Sequence, residues 1–112
     1  MRAMGPAGDH AAQTSQRARR RQARQIVAAY HEQQLRELLE HVRDGLARLD
    51  HGEIDVFDVD ALIERYDLAT RKLRAFCGST GGDWERAAGA LEFMRSNGET
   101  HDWWDAAAAR RR

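Results

Sequence analysis

The stretch LRELLEHVRDGLARLDHGEIDVFDVDALIERYDLATRKLRAFC, residues 35–77, decides the fold. Apolar residues recur in it at steps of three and four, first from Leu35 to Leu49 and then from Val59 to Phe76. This spacing keeps side chains on one face of a helix. The sequence therefore predicts two amphipathic helices in succession.

The connection between these helices, DHGEI at residues 50–54, is so short that the second helix has to fold back along the first. Gly52 suits the left-handed conformation that follows a helix end, and Asp55 suits the N-cap of the next helix. We therefore predict an antiparallel hairpin, with Tyr30 near Phe76 and Cys77 at its far end. Its expected facing pairs are Leu49–Val59, Leu46–Leu62, Val42–Tyr66, Leu39–Ala69 and Leu35–Leu73.

Downstream of the hairpin, the cluster GSTGGD at residues 78–83 has to end the second helix. Thr80 is a suitable N-cap for a third helix, WERAAGALEFMRS, at residues 84–96. Trp103 and Trp104 carry too much apolar area to be left in water, so we expect at least one of them to fold back over the bundle. The predicted fold is all-α: a long antiparallel helical hairpin, a shorter third helix packed on it, and a folded-back Trp-Trp segment.

Length and charge bound the organisation of the chain. The chain has 112 residues and a formal net charge of zero. Its length leaves room for one domain, which we place at residues 26–105. Residues 1–14 are small, polar and unpatterned, and we expect them to be disordered. Residues 15–25 form a basic arm or an extension of the first helix, and residues 106–112 a short tail. A helical unit this small often completes its core by pairing with a copy of itself.

Cysteine usage and hydropathy limit the location of the protein. The single cysteine, Cys77, excludes an intramolecular disulfide and a zinc site built on paired cysteines. It lies near a predicted helix C-terminus, where the dipole disfavours a thiolate, so a buried structural cysteine is a better interpretation than a nucleophile.

No apolar run is long enough to cross a bilayer, and no signal peptide is recognisable. We expect a cytoplasmic protein without a membrane partner.

Two groups of possible metal ligands have unsuitable spacing. His31, His41 and His51 are each rotated by about 80° from the previous one at 3.6 residues per turn, so they do not share a helix face. The acidic residues of the turn region, residues 50–60, lack the regular alternation of oxygen ligands in a calcium loop, because apolar residues interrupt it. We therefore predict no metal, no cofactor and no catalytic residues.

Two sets of residues remain as candidates for binding a partner. The first set is apolar, lies off the predicted seam or in the Trp-Trp segment, and suits association with a protein: Phe57, Leu68, Phe93, Trp103 and Trp104. The second set is the basic arm, which is dense enough to neutralise nucleic-acid phosphates or to anchor on an acidic partner: Arg17, Arg19, Arg20, Arg21 and Arg24. The alternative interpretation of the arm is a solvated helix extension or a flexible tail that offsets the acidic charge of the rest of the chain.

Two resemblances follow from longer stretches. The run ARLDHGEIDVFDVDALIERYDLATRKL, residues 47–73, resembles the hairpin of the small subunit of exonuclease VII, which implies a helical subunit that binds a large nuclease subunit. The order LRELLEHV, GEIDVFDVDALIERY, LRAFCGSTG and DWW is similar to a family of small uncharacterised all-helical proteins from high-GC bacteria. That second resemblance implies a fold and no activity.

The sequence thus predicts a non-enzymatic helical module for protein–protein interaction, or an accessory subunit. Its partner would be another protein or a second copy of the chain. The alternative is a nucleic-acid-associated protein that binds through its arginine-rich arm. Binding through the arm should weaken steeply as salt is raised, whereas apolar association should not.

Overall fold

The computed structural model describes residues 5–108, with the side chains of Gln13 and of residues 15–108. The described residues form four helices and no strand, which confirms the predicted all-α fold. None of these helices combines the length and the apolarity that crossing a bilayer requires. The helices are α1 (Gly5–Asp50), α2 (Val56–Cys77), α3 (Gly81–Ser96) and α4 (Trp103–Ala106).

The turn between α1 and α2 has the local chemistry that the sequence predicts. Gly52 adopts a left-handed conformation with φ of 72°, and its N–H donates to the carbonyl of Leu49 at 3.0 Å. The Asp55 carboxylate accepts from the Asp58 N–H at 2.9 Å, and the Asp58 carboxylate accepts from the Asp55 N–H at 3.0 Å. This reciprocal capping box satisfies two N–H groups at the start of α2 and fixes the point at which the chain reverses.

The seam between α1 and α2 corrects two of the predicted facing pairs. Leu39 and Leu46, which we expected inside the seam, are each 46% exposed. Leu38 and Gly45 are buried in their place. Gly45 lies so close to Leu62 that a Cβ at position 45 would overlap the Cδ1 atom of that leucine. The helices approach closely where one of them has no side chain, and this rotates the two leucines to the flank of the seam.

The core lies in the part of the hairpin that is distant from the turn. Helix α3 reverses after α2 and runs in the direction of α1, since Gly81 lies beside the side chain of Arg20 and Met94 shares a cleft with Tyr30. Helix α4 then crosses back onto α2. Together the four helices bury one cluster: Val27, Leu38, Ala69, Leu73, Cys77, Ala87, Trp103 and Ala107.

Helical structure extends far towards the first residues of the chain. Helix α1 begins at Gly5 and continues through the basic arm without a break. Proline is tolerated in the first turn of a helix, because its missing N–H has no partner there, and Pro6 stands at that position. Ala23 and Ala107 are buried. The disorder expected over residues 1–14 and the domain bounds at residues 26–105 stay predictions. Residues 1–4 and 109–112 lie outside the described part.

Candidate functional site

Trp103 folds back over the hairpin, as the sequence predicts, and is buried there. Its indole Nε1–H donates to the hydroxyl oxygen of Tyr30 at 2.7 Å. Its ring lies 5.5 Å from that of Phe76, and the His101 ring meets it edge-on at 4.2 Å. The hydrogen bond satisfies the polar atom of a buried indole. Trp103, which we predicted for partner contact, is therefore used inside the chain.

Trp104 is held between the two helices of the hairpin. The His41 imidazole on α1 stacks parallel to its ring at a centroid distance of 4.4 Å. The Arg65 guanidinium on α2 also lies 4.4 Å from the ring centroid, and Arg65 Nε donates to the Trp104 carbonyl at 2.8 Å. A cation over an indole face is a favourable contact, so Trp104 ties α4 to both helices.

The remaining predicted partner residues differ in their exposure. Leu68 is partly buried and packs against the core. Phe57 at the start of α2 is 80% exposed, and Phe93 on α3 is 66% exposed. The two phenylalanines belong to separate helices.

A second apolar surface runs along the hairpin and includes Leu39 and Leu46, which the predicted facing pairs place inside the seam. It consists of Leu39 and Leu46 on α1 with Val56 and Ile63 on α2, which are between 46% and 61% exposed. Each pair is spaced by seven residues, or two helical turns, and so shares a helix face. We call these four residues the hairpin face. The feature of the sequence that indicates this surface is a pair of adjacent apolar residues on each helix, such as Leu38 and Leu39.

The hairpin face lies on the side of the hairpin opposite to α4. Leu39 precedes His41 by two residues, and Ile63 precedes Arg65 by two residues. Two residues correspond to a rotation of about 200° around a helix. Since His41 and Arg65 both contact Trp104 of α4, Leu39 and Ile63 point away from it.

Several charged side chains along the hairpin are paired within their own helix. These pairs are exposed, so they add little to stability. Salt bridges of this kind are Arg36–Glu32 at 2.7 Å, Arg43–Glu40 at 2.6 Å and Arg71–Asp67 at 3.2 Å.

The basic arm is partly used to hold α3. Arg20 Nε donates to Glu85 Oε2 at 3.3 Å, and the Arg24 guanidinium lies 5.0 Å from the Trp84 ring centroid. Sequence reasoning could not find these contacts, because they depend on where α3 packs. All five arginines of the predicted set are exposed, including Arg17, Arg19 and Arg21.

A cleft of about 800 Å³ lies between α1 and the segment that joins α3 to α4. Residue spacing in the sequence does not indicate this cleft, because it forms only when α3 and α4 both return to α1. Its apolar lining comprises Ile26, Tyr30, Leu38, Leu91, Met94, Trp103 and Trp104. Its polar lining comprises Gln34, Glu37, His41, Arg95, Glu99, Thr100, His101 and Asp102.

Three titratable groups close to the core have shifted pKa values. Burial raises the pKa of the Cys77 thiol above its ordinary value, which keeps the thiol protonated and agrees with a structural cysteine. Burial also raises the pKa of Tyr30, against the opposing effect of its hydrogen bond from Trp103. Burial and the positive charge of Arg74 lower the pKa of His31.

Among the described side chains, those of Gln13 and residues 15–108, no three of His, Cys, Asp or Glu converge in a way that could hold a metal ion. The predicted histidines lie in different places: His41 stacks on Trp104, His31 is half-buried and His51 is exposed in the turn. They are not brought together.

Comparison of the chain with protein-family models, curated proteins and solved structures finds no match. The resemblances to the exonuclease VII small subunit and to the family from high-GC bacteria therefore stay predictions. Function has to be inferred from the surfaces of the molecule.

Proposed function

We propose that this protein is a non-enzymatic helical interaction module that associates with a second copy of itself through the hairpin face. The observation that carries the proposal is the exposure of Leu39, Leu46, Val56 and Ile63 along one side of a two-helix unit. Several large apolar side chains exposed on one side of a small protein are typical of an association site. Phe57, the most exposed of the large apolar residues, extends apolar surface at the turn.

The geometry of the hairpin suits a twofold partner. Gly45 and Leu62 lie level with each other in the hairpin. A twofold axis parallel to the helices would therefore place Leu46 of one copy at the level of Ile63 of the other. The result would be an antiparallel four-helix arrangement, in which each copy contributes the same surface.

Size and charge are compatible with weak pairing of this kind. From Leu35 to Leu49 the face is about 21 Å long, and two helices side by side are about 20 Å wide. The face therefore covers about 420 Å², below the roughly 600 Å² of accessible surface on each partner at the lower end of stable interfaces. The formal net charge of the chain is zero, so two copies do not repel each other. We expect a weak, reversible dimer.

Sedimentation of the full chain over a range of concentrations tests the proposal. We expect the wild type to shift from monomer to dimer as concentration rises, and Leu46→Glu to stay monomeric because dimerisation would bury its charge. Phe93→Glu on α3 is the matched control, since it introduces the same charge at another exposed apolar position and should still dimerise. Circular dichroism checks that both variants keep their helices.

A wild type that stays monomeric at the highest concentration would overturn the proposal. So would a dimer that survives Leu46→Glu and is lost in Phe93→Glu. If Leu46→Glu loses its helices, Ile63→Glu serves as the second variant on the same face.

Nucleic-acid binding through the basic arm is the second candidate, and exposed Arg17, Arg19 and Arg21 favour it. We rank it below self-association because Arg20 and Arg24 are already engaged by Glu85 and Trp84. Fluorescence anisotropy with a labelled duplex distinguishes the two. Equal binding by the wild type and by a variant with alanine at Arg17, Arg19 and Arg21 would exclude the arm.

A further inference from the structure

We propose that the cleft between α1 and the α3–α4 connection binds a small organic amine, with its apolar body inside and its positive charge at the rim. This site is separate from the hairpin face, because His41 and Trp104 line the cleft on the side of the hairpin opposite to Leu39. The inference therefore does not depend on dimerisation.

The interior of the cleft suits an apolar body. Its volume of about 800 Å³ is typical of small-molecule sites, which range from about 300 to 1,000 Å³. Ile26, Leu91 and Met94 line it, and Ile26 remains 45% exposed although it neighbours the buried Val27. Methionine adapts to ligands of different shape because its side chain is flexible. An alkyl or aryl group would cover this surface.

The charges around the cleft favour a cation. Three carboxylates line it, those of Glu37, Glu99 and Asp102. Arg95 also lines it, but its Nη2 donates to both carboxylate oxygens of Glu92 at 2.7 and 2.6 Å. That pairing offsets the positive charge of Arg95, so the rim is negative overall. A negative rim raises the local concentration of cations and disfavours anions.

Glu37 is the carboxylate best placed to contact the amine. It lines the cleft together with Tyr30 and Trp103, and it is close enough to the Tyr30 hydroxyl for its charge to add to the effect of burial in raising the pKa of Tyr30. The half-buried Tyr30 ring is a second favourable surface for an ammonium group. A carboxylate beside an aromatic ring is therefore the expected position of the positive charge.

Three probes of equal chain length test the inference on the full chain at neutral pH: octylamine, octanol and octanoate. They carry a positive charge, no charge and a negative charge, respectively. Differences among their affinities therefore measure the effect of the charged rim, because the apolar chain that enters the interior is the same length in all three. Tryptophan fluorescence and isothermal titration calorimetry measure binding. We expect octylamine to bind about tenfold more tightly than octanoate, a difference of about 1.4 kcal/mol, with octanol in between.

Glu37→Gln removes the charge and keeps the shape of the side chain. We expect it to weaken octylamine binding by about three- to tenfold and to leave octanol binding unchanged. The matched control is Glu64→Gln, an exposed glutamate of α2 that is not among the residues lining the cleft; it should bind like the wild type. Leu46→Glu should also bind octylamine normally, which separates this site from the hairpin face.

Equal affinity for the three probes would overturn the inference, because the negative rim would then make no contribution to the affinity. The same holds if octylamine binds Glu37→Gln as tightly as the wild type, or if no probe binds. Should Glu37→Gln lose helicity by circular dichroism, Glu99→Gln in the exposed connection is the second variant and carries the same expectation.

Discussion

The hairpin has two halves that share one sequence pattern and differ in how much of it is buried. The base half comprises residues 20–41 and 65–77, and the tip half comprises residues 42–64. In the base half, Leu73 is completely buried, whereas in the tip half Leu46 is 46% exposed. Both leucines occupy apolar positions at helical spacing. Their environments differ because α3 and α4 cover only the base half.

This difference shows how the number of packed layers decides which apolar residues are buried. A helix with one neighbour buries a single stripe, so Gly45 and Val59 enter the seam of the tip and Leu46 stays beside it. In the base half, further helices cover a wider arc of each surface. The surplus apolar stripe of the tip is the reason for placing self-association there.

The tip half depends mainly on local interactions. Its turn is held by the capping box of Asp55 and Asp58 and by an ion pair between Arg48 and Glu53 at 3.6 Å. The base half instead joins residues that are distant in sequence, such as Tyr30 and Trp103. The global stability of the chain should therefore reside in the base half.

The largest expected effect comes from removing a leucine in each half. Leu73→Ala empties a fully buried site and should lower the free energy of unfolding by about 2–5 kcal/mol. Leu46→Ala removes the same atoms from a half-exposed site and should cost about 1 kcal/mol or less in the monomer. Urea unfolding at a protein concentration below the dimer range measures both. Similar losses for the two variants would contradict the contrast between the halves.

Much of the fold was predictable because its signals are local. The reversal at Gly52, the cap at Asp55 and the breaks around α3 all depend on a few neighbouring residues. The return of Trp103 followed from its apolar area alone. In each case a short-range rule and the final packing agree.

The seam was predicted less well, for a physical reason. Counting apolar residues gave Leu39 and Leu46 a place inside it, because a glycine contributes no apolarity to such a count. The seam nevertheless closes on Gly45, where the missing side chain lets Leu62 approach. Where two adjacent helical residues are both apolar, the sequence does not determine which of them faces the partner helix. The two orientations differ by a rotation of about 100°, and packing selects one of them.

The candidate sites depended still more on tertiary structure. Exposure of Phe57 and Phe93 agrees with their off-seam positions, whereas the hairpin face followed only from the corrected seam. The cleft depends on where the α3–α4 connection returns to α1, and residue spacing does not encode that. The contact between Arg20 and Glu85 likewise depends on where α3 packs, which residue spacing does not encode.

A pair of glycine substitutions tests the close approach in the tip half. Gly45→Ala places a methyl group against Leu62 and should cost about 1–3 kcal/mol through overpacking, partly offset by the higher helix propensity of alanine. Gly89→Ala on α3 meets no atom within 4 Å and should stabilise the chain by up to about 1 kcal/mol. Thermal unfolding of both variants gives the sign of each effect. A stabilised Gly45→Ala would mean that the helices do not close on position 45.

The smallest expected effect is the dependence of stability on pH, which arises from groups of the base half. Burial raises the pKa of Cys77 above its ordinary 9.0 and that of Tyr30 above 10.0. The folded state thus favours their neutral forms, and this contribution is present below those values and lost as pH rises past them. Burial, with the charge of Arg74, lowers the pKa of His31 below 6.5, so its contribution is present above 6.5 and lost as pH falls.

Stability should therefore be highest between these limits and decline on both sides. Urea midpoints at about pH 5.5, 7.5 and 9.5 measure the decline. Cys77→Ala lowers stability at every pH because it removes buried volume, but it should reduce the alkaline decline, since the thiol no longer ionises more readily in the unfolded chain. His31→Gln should reduce the acid decline and leave the alkaline one unchanged. If Cys77→Ala kept the whole alkaline decline, the thiol would not be its source, and the base half would owe its pH response to Tyr30 or to groups outside the core.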